Sequence, residues 1–299
     1  MKILCIGHAA YDITIPVDDF PIENTKNRIT ERVECGGGPA SNAAYLLAKW
    51  KMDSYFAGVI GNDVYGNRIL NEFNEIGVHT NFLQINQNLT TTSSFIIANR
   101  SNGSRTILTH RPTEMKMRDF EVDIEPSVIL MDGQEVEMSK KMIKQFPNAI
   151  TIIDAGRPKE GIIELAKMVN YLVCSKDFAE AVTQIKIDYN DVNSLVQVFL
   201  KLKEEFQNNI IVTLEEHGCL YEKENLIKRM PSIRVEAIDS TGAGDIFHGA
   251  FAYGIANKFE IERTLKYANI AGAISVTRVG GRFSIPTLEE VENKYDALK

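Results

Sequence analysis

From Val128 onward the sequence alternates short apolar runs, VILMD, AITIIDA, YLVCS and IIVTL, with segments of helical periodicity around residues 137–146, 160–169 and 191–206. A short run that is apolar at nearly every position suits a strand buried on both faces, and a helix between two such strands returns the chain so that they pair in parallel. The expected fold is α/β: a doubly wound, mostly parallel sheet flanked by helices. Lys2 to Gly7 reads as a further buried strand that opens the domain, with the active side at its C-terminal end.

Two stretches break this rhythm. Residues from about Ile13 to Val33 alternate apolar and polar around Pro16 and Pro21, and TTTSSFIIANRSNGSRTILTH carries a turn signal at Asn102-Gly103. These stretches, within about 13–33 and 91–111, are expected to form a small, half-exposed sheet acting as a lid. Between them Pro39 to Lys49 has helical spacing and Met52 to Ile60 reads as strand, a βα unit. After residue 217 come two hairpin-like strands, GCLYE and LIKRM. A Gly-rich turn at 242–244 follows, then a helix to roughly residue 256 and another from about Glu260 to Val276. No internal repeat, low-complexity tract or linker divides the chain, so residues 1–299 are expected to form one domain with the lid inserted.

Charge and composition exclude several function classes. Lys plus Arg number 33 against 40 Asp plus Glu, a net charge of −7 with no long basic run, which argues against a general nucleic-acid or anionic-membrane partner. No stretch approaches the ~18 apolar residues of a membrane span, and the apolar start is too short for a signal sequence, so a cytoplasmic location is expected. Cys5, Cys35, Cys174 and Cys219 lie far apart without metal-binding spacing and read as reduced, buried thiols.

The segment IDSTGAGDIFHGAFAYGIAN sets Ser, Thr and two glycines directly before an apolar helix, with Asp245 in its first turn. Glycines let a ligand approach the backbone, and unpaired N–H groups at a helix start favour an anion. A carboxylate there can accept the proton of an attacking hydroxyl while the N–H groups stabilise a phosphoryl group. Alone, the same pattern also serves as an ordinary loop and helix cap.

D-S-T-G-A-G-D-x-F-x-x-A-F, Asp239 to Phe251, resembles the C-terminal signature of the ribokinase-like (PfkB) carbohydrate kinases. The resemblance implies that Asp245 is the catalytic base and that Gly242, Ala243 and Gly244 form an anion hole, with Thr241 beside the nucleotide. Upstream, Gly36-Gly37-Gly38-Pro39-Ala40-Ser41-Asn42 resembles the family's N-terminal signature, in which a Gly-Gly turn opens a helix. This implies that Gly37, Gly38 and Asn42 meet the sugar hydroxyls, and CIGHAAYD implies the same for Asp12. The resemblance runs over essentially the whole chain.

On the nucleotide side, IIVTLEEHGCLYE nominates Thr213 and Gly218, and YANIAGAISVTRVGG nominates Asn269, with Asp239, Ser275 and Gly280 lining a site for a monovalent cation such as K⁺. The resemblance implies ATP as phosphoryl donor and Mg²⁺ held mainly through phosphates and water. The chain departs from the family at CSKDFAE, where Ser175 and Phe178 replace the Asn and Glu of an Asn-x-x-Glu motif near the metal. Ser175 then stays as a nucleotide contact, with Asp177 or Glu180 left to reach the metal through water.

Gly38-Pro39 stands where ribokinases usually carry a Lys after the Gly pair. SNGSRTIL, CSKDFAE and LMDGQEVE resemble segments of ketohexokinase instead. A ketose is the first expectation, with Asp132 accepting a substrate hydroxyl and Arg105 approaching substrate or phosphate. The alternatives are a ribose or nucleoside kinase and a kinase of an anionic sugar, the latter favoured if His110-Arg111 meet an acidic group. A non-catalytic sugar or nucleotide sensor on the same fold is the reading from another class. No G-x-G-x-x-G follows the first strand and no G-x-x-x-x-G-K-S/T occurs, which sets aside a dinucleotide-binding dehydrogenase and a P-loop kinase. Lid sheets of this family pair in homodimers, so a homodimer through the lid is expected.

Overall fold

The computed structural model describes residues 1–298. The chain begins with β1 (Lys2–Ile6), β2 (Ala10–Val17), β3 (Val33–Gly37), α1 (Pro39–Lys49), β4 (Asp53–Gly61), α2 (Val64–Ile76) and β5 (His79–Asn86). The hairpin β6 (Ser93–Asn99) and β7 (Arg105–His110) follows, then β8 (Val128–Met131), α3 (Val136–Gln145), β9 (Ile150–Ala155), α4 (Glu160–Ala166), β10 (Tyr171–Ser175) and α5 (Lys176–Thr183). The last part comprises α6 (Val192–Glu205), β11 (Asn209–Thr213), β12 (Cys219–Lys223), β13 (Leu226–Met230), α7 (Ala243–Ala256), α8 (Ile261–Ser275) and α9 (Leu288–Asp296).

Nine strands form the main sheet in the order β13-β12-β11-β10-β9-β8-β1-β4-β5. All neighbours from β5 to β11 pair in parallel, and β12 and β13 extend the edge as an antiparallel hairpin. Two-residue alternation divides each central strand between two cores. Ile3 and Cys5 face the layer of α1, α2, α7 and α8, while Leu4 and Ile6 face that of α3 to α6. Burial on both faces is why these strands read as nearly unbroken apolar runs. All four cysteines are buried and unpaired, and burial pushes the Cys35 thiol up to about 11.

The second sheet has the order β3-β2-β6-β7. Strands β2 and β6 pair in parallel, with Asp12 opposite Ser94, making the sheet mixed. It differs from the sequence reading in two ways. Residues 18–32 carry no strand, so the expected strands flank that stretch instead of filling it. Gly36 and Gly37 belong to β3, and only Gly38 stands at the helix start, with φ +96°. Helices α2, α5 and α9 and strand β5 were not anticipated, although α9 opens with a Thr287–Glu290 capping box.

Helices α1 and α7 pack against each other at the centre of one layer. Gly249 makes this possible: a Cβ there would stand 3.1 Å from Ala43 Cα. The close approach brings the start of α1 to the start of α7, and with it the two Gly-rich segments.

Candidate active site

At the start of α7, Gly242 is in the left-handed conformation (φ +75°), which glycine adopts without a Cβ clash. The N–H groups of Gly244 and Asp245 donate to no acceptor among the described residues, and Thr241 Oγ1 is buried without a partner. Three donors thus stand uncommitted where the helix dipole is positive. A Cβ built on Gly244 meets nothing within 4 Å, so the turn opens onto free space.

Asp245 faces this space from the first turn of α7, half-buried. Asn42 Nδ2 donates to its Oδ2 at 2.8 Å across 203 residues of sequence. Burial, reinforced by the negative charge of Asp154, pushes the Asp245 carboxyl up to about 6, against the opposing pull of Asn42, His248 and Arg105. A carboxylate with that affinity, next to free amides, can take a proton from a hydroxyl while the amides hold an anion.

Asp12 comes from β2 and is 6% exposed. Burial pushes it up to about 6 as well; Ser94 opposes the shift by hydrogen bonding, and the charge of Asp245 adds to it. Asp132, at the end of β8, is held otherwise. Its Oδ2 accepts from the His8 and Ala40 backbone N–H groups at 2.7 and 3.2 Å, and its Oδ1 from Gln134 N–H at 2.9 Å. Three acceptor positions of this carboxylate are therefore engaged in tying β1, α1 and α3 together. Burial raises it to about 6.

The glycines of the cleft leave room for these charged groups. A Cβ at Gly7 would lie 2.0 Å from Asp132 Oδ1, at Gly37 1.9 Å from Asp12 Oδ2, and at Gly36 2.0 Å from Arg282 Nη1. Arg282 was missed in the sequence, although it directly follows VTRVGG. It is fully buried and pairs with Glu72 at 2.7 Å, donates to Ser41 Oγ, and reaches Asn42 Oδ1 at 3.4 Å. Glu72 in turn accepts from Gly36 N–H at 3.0 Å. The chain Glu72–Arg282–Asn42–Asp245 fixes which end of the Asn42 amide faces the carboxylate. Arg beside a Gly pair was the available signal; its partner Glu72, on an unanticipated helix, had none.

The second sheet meets the same turn. Arg105 Nη1 donates to Ser240 Oγ at 2.6 Å, and Ser240 donates to Gly103 O at 2.9 Å, so the β6–β7 hairpin touches the loop before α7. His110 is exposed. Arg111 Nη1 lies 2.7 Å from His8 Nδ1, and its Nη2 donates to Met115 O at 2.6 Å and faces Glu135 at 3.3 Å. Burial, together with the Arg111 and Lys159 charges, holds His8 down at about 3, so its ring is neutral and its Nδ1 accepts from Arg111.

The nominated nucleotide-side residues sit at strand and helix ends with modest commitments. Ser175 caps α5, accepting from Phe178 N–H at 3.1 Å and donating to Gly156 O at 2.7 Å. Thr213 Oγ1 is 3.4 Å from Cys174 O, and Asn269 Nδ2 is 3.7 Å from Cys219 Sγ. Gly218 has a steric reason of its own: a Cβ would lie 1.9 Å from Met230 O. Asp239 is buried and accepts from Thr241 and Gly280 N–H groups, each at 2.9 Å, while Ser275 Oγ donates to Gly272 O at 2.7 Å. Glu180 is paired with Lys186 at 2.6 Å and accepts from Ile187 N–H. Among the described residues no group of three His, Cys, Asp or Glu side chains is arranged to hold a metal, and no helix is long and apolar enough to cross a membrane.

Relatives carry the same fold over the same span. The chain is 24% identical over 307 residues to a ribokinase of Lactococcus lactis subsp. lactis, covering 100% of this chain and 98% of that protein. It is 26% identical over 313 residues to a deoxyribokinase of Salmonella typhi, covering 100% and 99%. The structure of Arabidopsis thaliana ribokinase complexed with ribose and ATP superposes with a TM-score of 0.80 at 21% identity, covering 98% of this chain and 97% of that one, a likeness of fold. The description of the pfkB family carbohydrate kinases matches residues 1–288, and the chain belongs to that family of sugar kinases.

Proposed function

We propose that this kinase transfers the γ-phosphoryl group of ATP to a hydroxyl of a neutral sugar, with Asp245 as the base. The observation that carries the reading is the Asp245 carboxylate, raised to about 6 and held by Asn42 at 2.8 Å, beside the uncommitted N–H groups of Gly244 and Asp245. In the reaction, the sugar hydroxyl gives its proton to Asp245 as its oxygen bonds to the γ-phosphorus, the bond to the β–γ bridging oxygen breaks, and ADP leaves. The free amides and Thr241 Oγ1 receive the charge on the transferring group. Asp12 and the remaining face of Asn42 orient the polyol.

Mg²⁺ supplies charge neutralisation on the phosphates of such a nucleotide. Near CSKDFAE, Glu180 is engaged by Lys186, which leaves the exposed Asp177 as the carboxylate that would reach the metal through water. Asp239 and Gly280 are joined by a hydrogen bond, which supports a common role at the expected K⁺ corner.

Arg111 bears on the choice of sugar. Its guanidinium is engaged by His8, Met115 and Glu135, which leaves no free cation there for an acidic substrate. Ribose and deoxyribose enter as candidates through the two relatives, and fructose through the resemblance to ketohexokinase. The test is ADP release from ATP with D-ribose, 2-deoxy-D-ribose, D-fructose, adenosine, D-gluconate and fructose 6-phosphate. Turnover is expected with a neutral sugar; activity confined to the anionic compounds overturns the neutral-substrate reading. Sugar-induced thermal stabilisation without any ADP release identifies a sensor instead.

We read the chain as one domain carrying an inserted lid, and the lid as a dimer surface. Phe95 and Leu108 are cross-strand partners, 45% and 61% exposed, and β7 is an edge strand with every residue exposed. Sedimentation of L108K against the unaltered chain checks this: the substitution is expected to yield monomer.

A further inference from the structure

His248 follows Asp245 by one turn of α7 and is 4% exposed. Its Nδ1 lies 2.6 Å from Gly244 O and 3.2 Å from Asp154 Oδ2, and its Nε2 lies 3.1 Å from Val173 O. Carbonyl oxygens only accept hydrogen bonds, and so does an ionised carboxylate. Either neutral tautomer therefore sets a ring lone pair against a carbonyl oxygen, at 2.6 Å on one side or 3.1 Å on the other. Protonating Asp154 does not relieve this, because Gly244 O still faces Nδ1. Only a ring with protons on both nitrogens donates to both sides, and Asp154, from the end of β9, is its counter-charge.

The geometry points to His248 as a buried imidazolium that offsets the Asp154 charge at the base and fixes the Gly244 carbonyl, making it a positioning residue for Asp245 and the amides beside it. This rests on Asp245 being the base. Carboxylates crowd the site: Asp154 raises the Asp245 carboxyl. Asp132, from the end of β8, adds to the negative charge on Asp154, and Asp12, from β2, is itself raised by Asp245. Arg105 also acts on Asp245 as a cation, but it sits on an exposed strand where water screens it. His248 is the buried one.

Two measurements test the proposal. In ¹⁵N-histidine-labelled protein at pH 7.5, the ring resonances that disappear in H248N are expected to show both nitrogens protonated; a neutral ring overturns the proposal. Then kcat/KM is followed against pH for the unaltered chain, H248N, H248Q and D154N, with whichever of D-ribose, 2-deoxy-D-ribose and D-fructose is turned over fastest. H248N and H248Q are expected to move the acid limb upward by about one pH unit, so that the ratio of kcat/KM at pH 6 to that at pH 8 falls about fivefold. D154N is expected to move it downward. A His248 that merely packs would lower kcat equally at every pH and leave the limb in place, and that result overturns the proposal. If none of the three sugars is turned over, the functional reading fails while the labelled-histidine spectrum still decides the state of His248.

Discussion

On the wall built from α1, α7, the second sheet and the segments that follow β8 and α8, Asn42, Asp132 and Arg282 are each held by defined partners, and Asp12 and Asp245 are carboxylates raised by burial. On the wall built from β10, β11 and α8, Ser175, Thr213 and Asn269 have short-range or weak contacts, the last of them a 3.7 Å approach to a sulfur. The first wall keeps ionisable groups partly desolvated in one geometry, which costs stability and shifts their proton affinity. The second is shaped by strand ends and small residues and can accept a ligand without a prearranged network. Changes in the first wall should therefore be severe, and changes in the second mild.

The largest effect is expected for D245N: kcat should fall about 10³-fold while thermal stabilisation by the sugar persists. ADP release above a tenth of the unaltered rate would place the base elsewhere. Next is E72Q, which leaves the buried Arg282 guanidinium without its counter-charge and should destabilise the fold by about 3–5 kcal/mol in urea unfolding. The double substitution E72M/R282M is expected to recover much of that loss, since it removes the charge that would otherwise stay unpaired. Failure to recover would mean that the pair is needed for more than mutual neutralisation.

The pH dependence sharpens the same contrast. With Asp245 and Asp12 raised to about 6, kcat/KM is expected to fall about tenfold per pH unit below that value as the base takes up a proton. The stability effect has the opposite sense. A carboxyl raised in the folded state contributes stability below its unfolded value of about 3.9 and loses it as pH rises through about 6. D245N, which cannot ionise, should therefore unfold about 2–5 °C above the unaltered chain at pH 7, with the gain gone near pH 4. The smallest effects belong to the second wall: S175A and N269A are each expected to change the ATP KM by less than about fivefold. A change of a hundredfold there would show that this wall is as prearranged as the first.

Where a segment's own demands decide its structure, the sequence was legible. The VILM, ITIIDA and YLVCS strands and helix α1 lie within a residue or two of their expected places, because strands buried on both faces must be apolar throughout and Pro39 suits a first helical turn. Helix α5 was hidden because it begins directly after β10 without an intervening loop. The lid strands shifted because polar alternation continues through 18–32, yet those residues find no neighbouring strand. Gly36 and Gly37 read as a turn, but their lack of side chains serves Arg282 and Asp12 within a strand.

By itself the sequence determined a mostly parallel sheet and a glycine-rich helix start at Gly242–Asp245. Both follow from hydrogen-bonding and burial requirements that act within a few residues. Only the tertiary structure decided that Asn42 meets Asp245, that Glu72 and Arg282 stand behind them, and that His248 and Asp154 lie close to Asp245. These contacts join segments 94 to 210 residues apart, or, like His248 to Gly244, depend on how a buried side chain is boxed in. The proton affinity of a carboxylate and the charge of an imidazole follow from which groups surround it and how much water is excluded, and packing across the whole fold sets both.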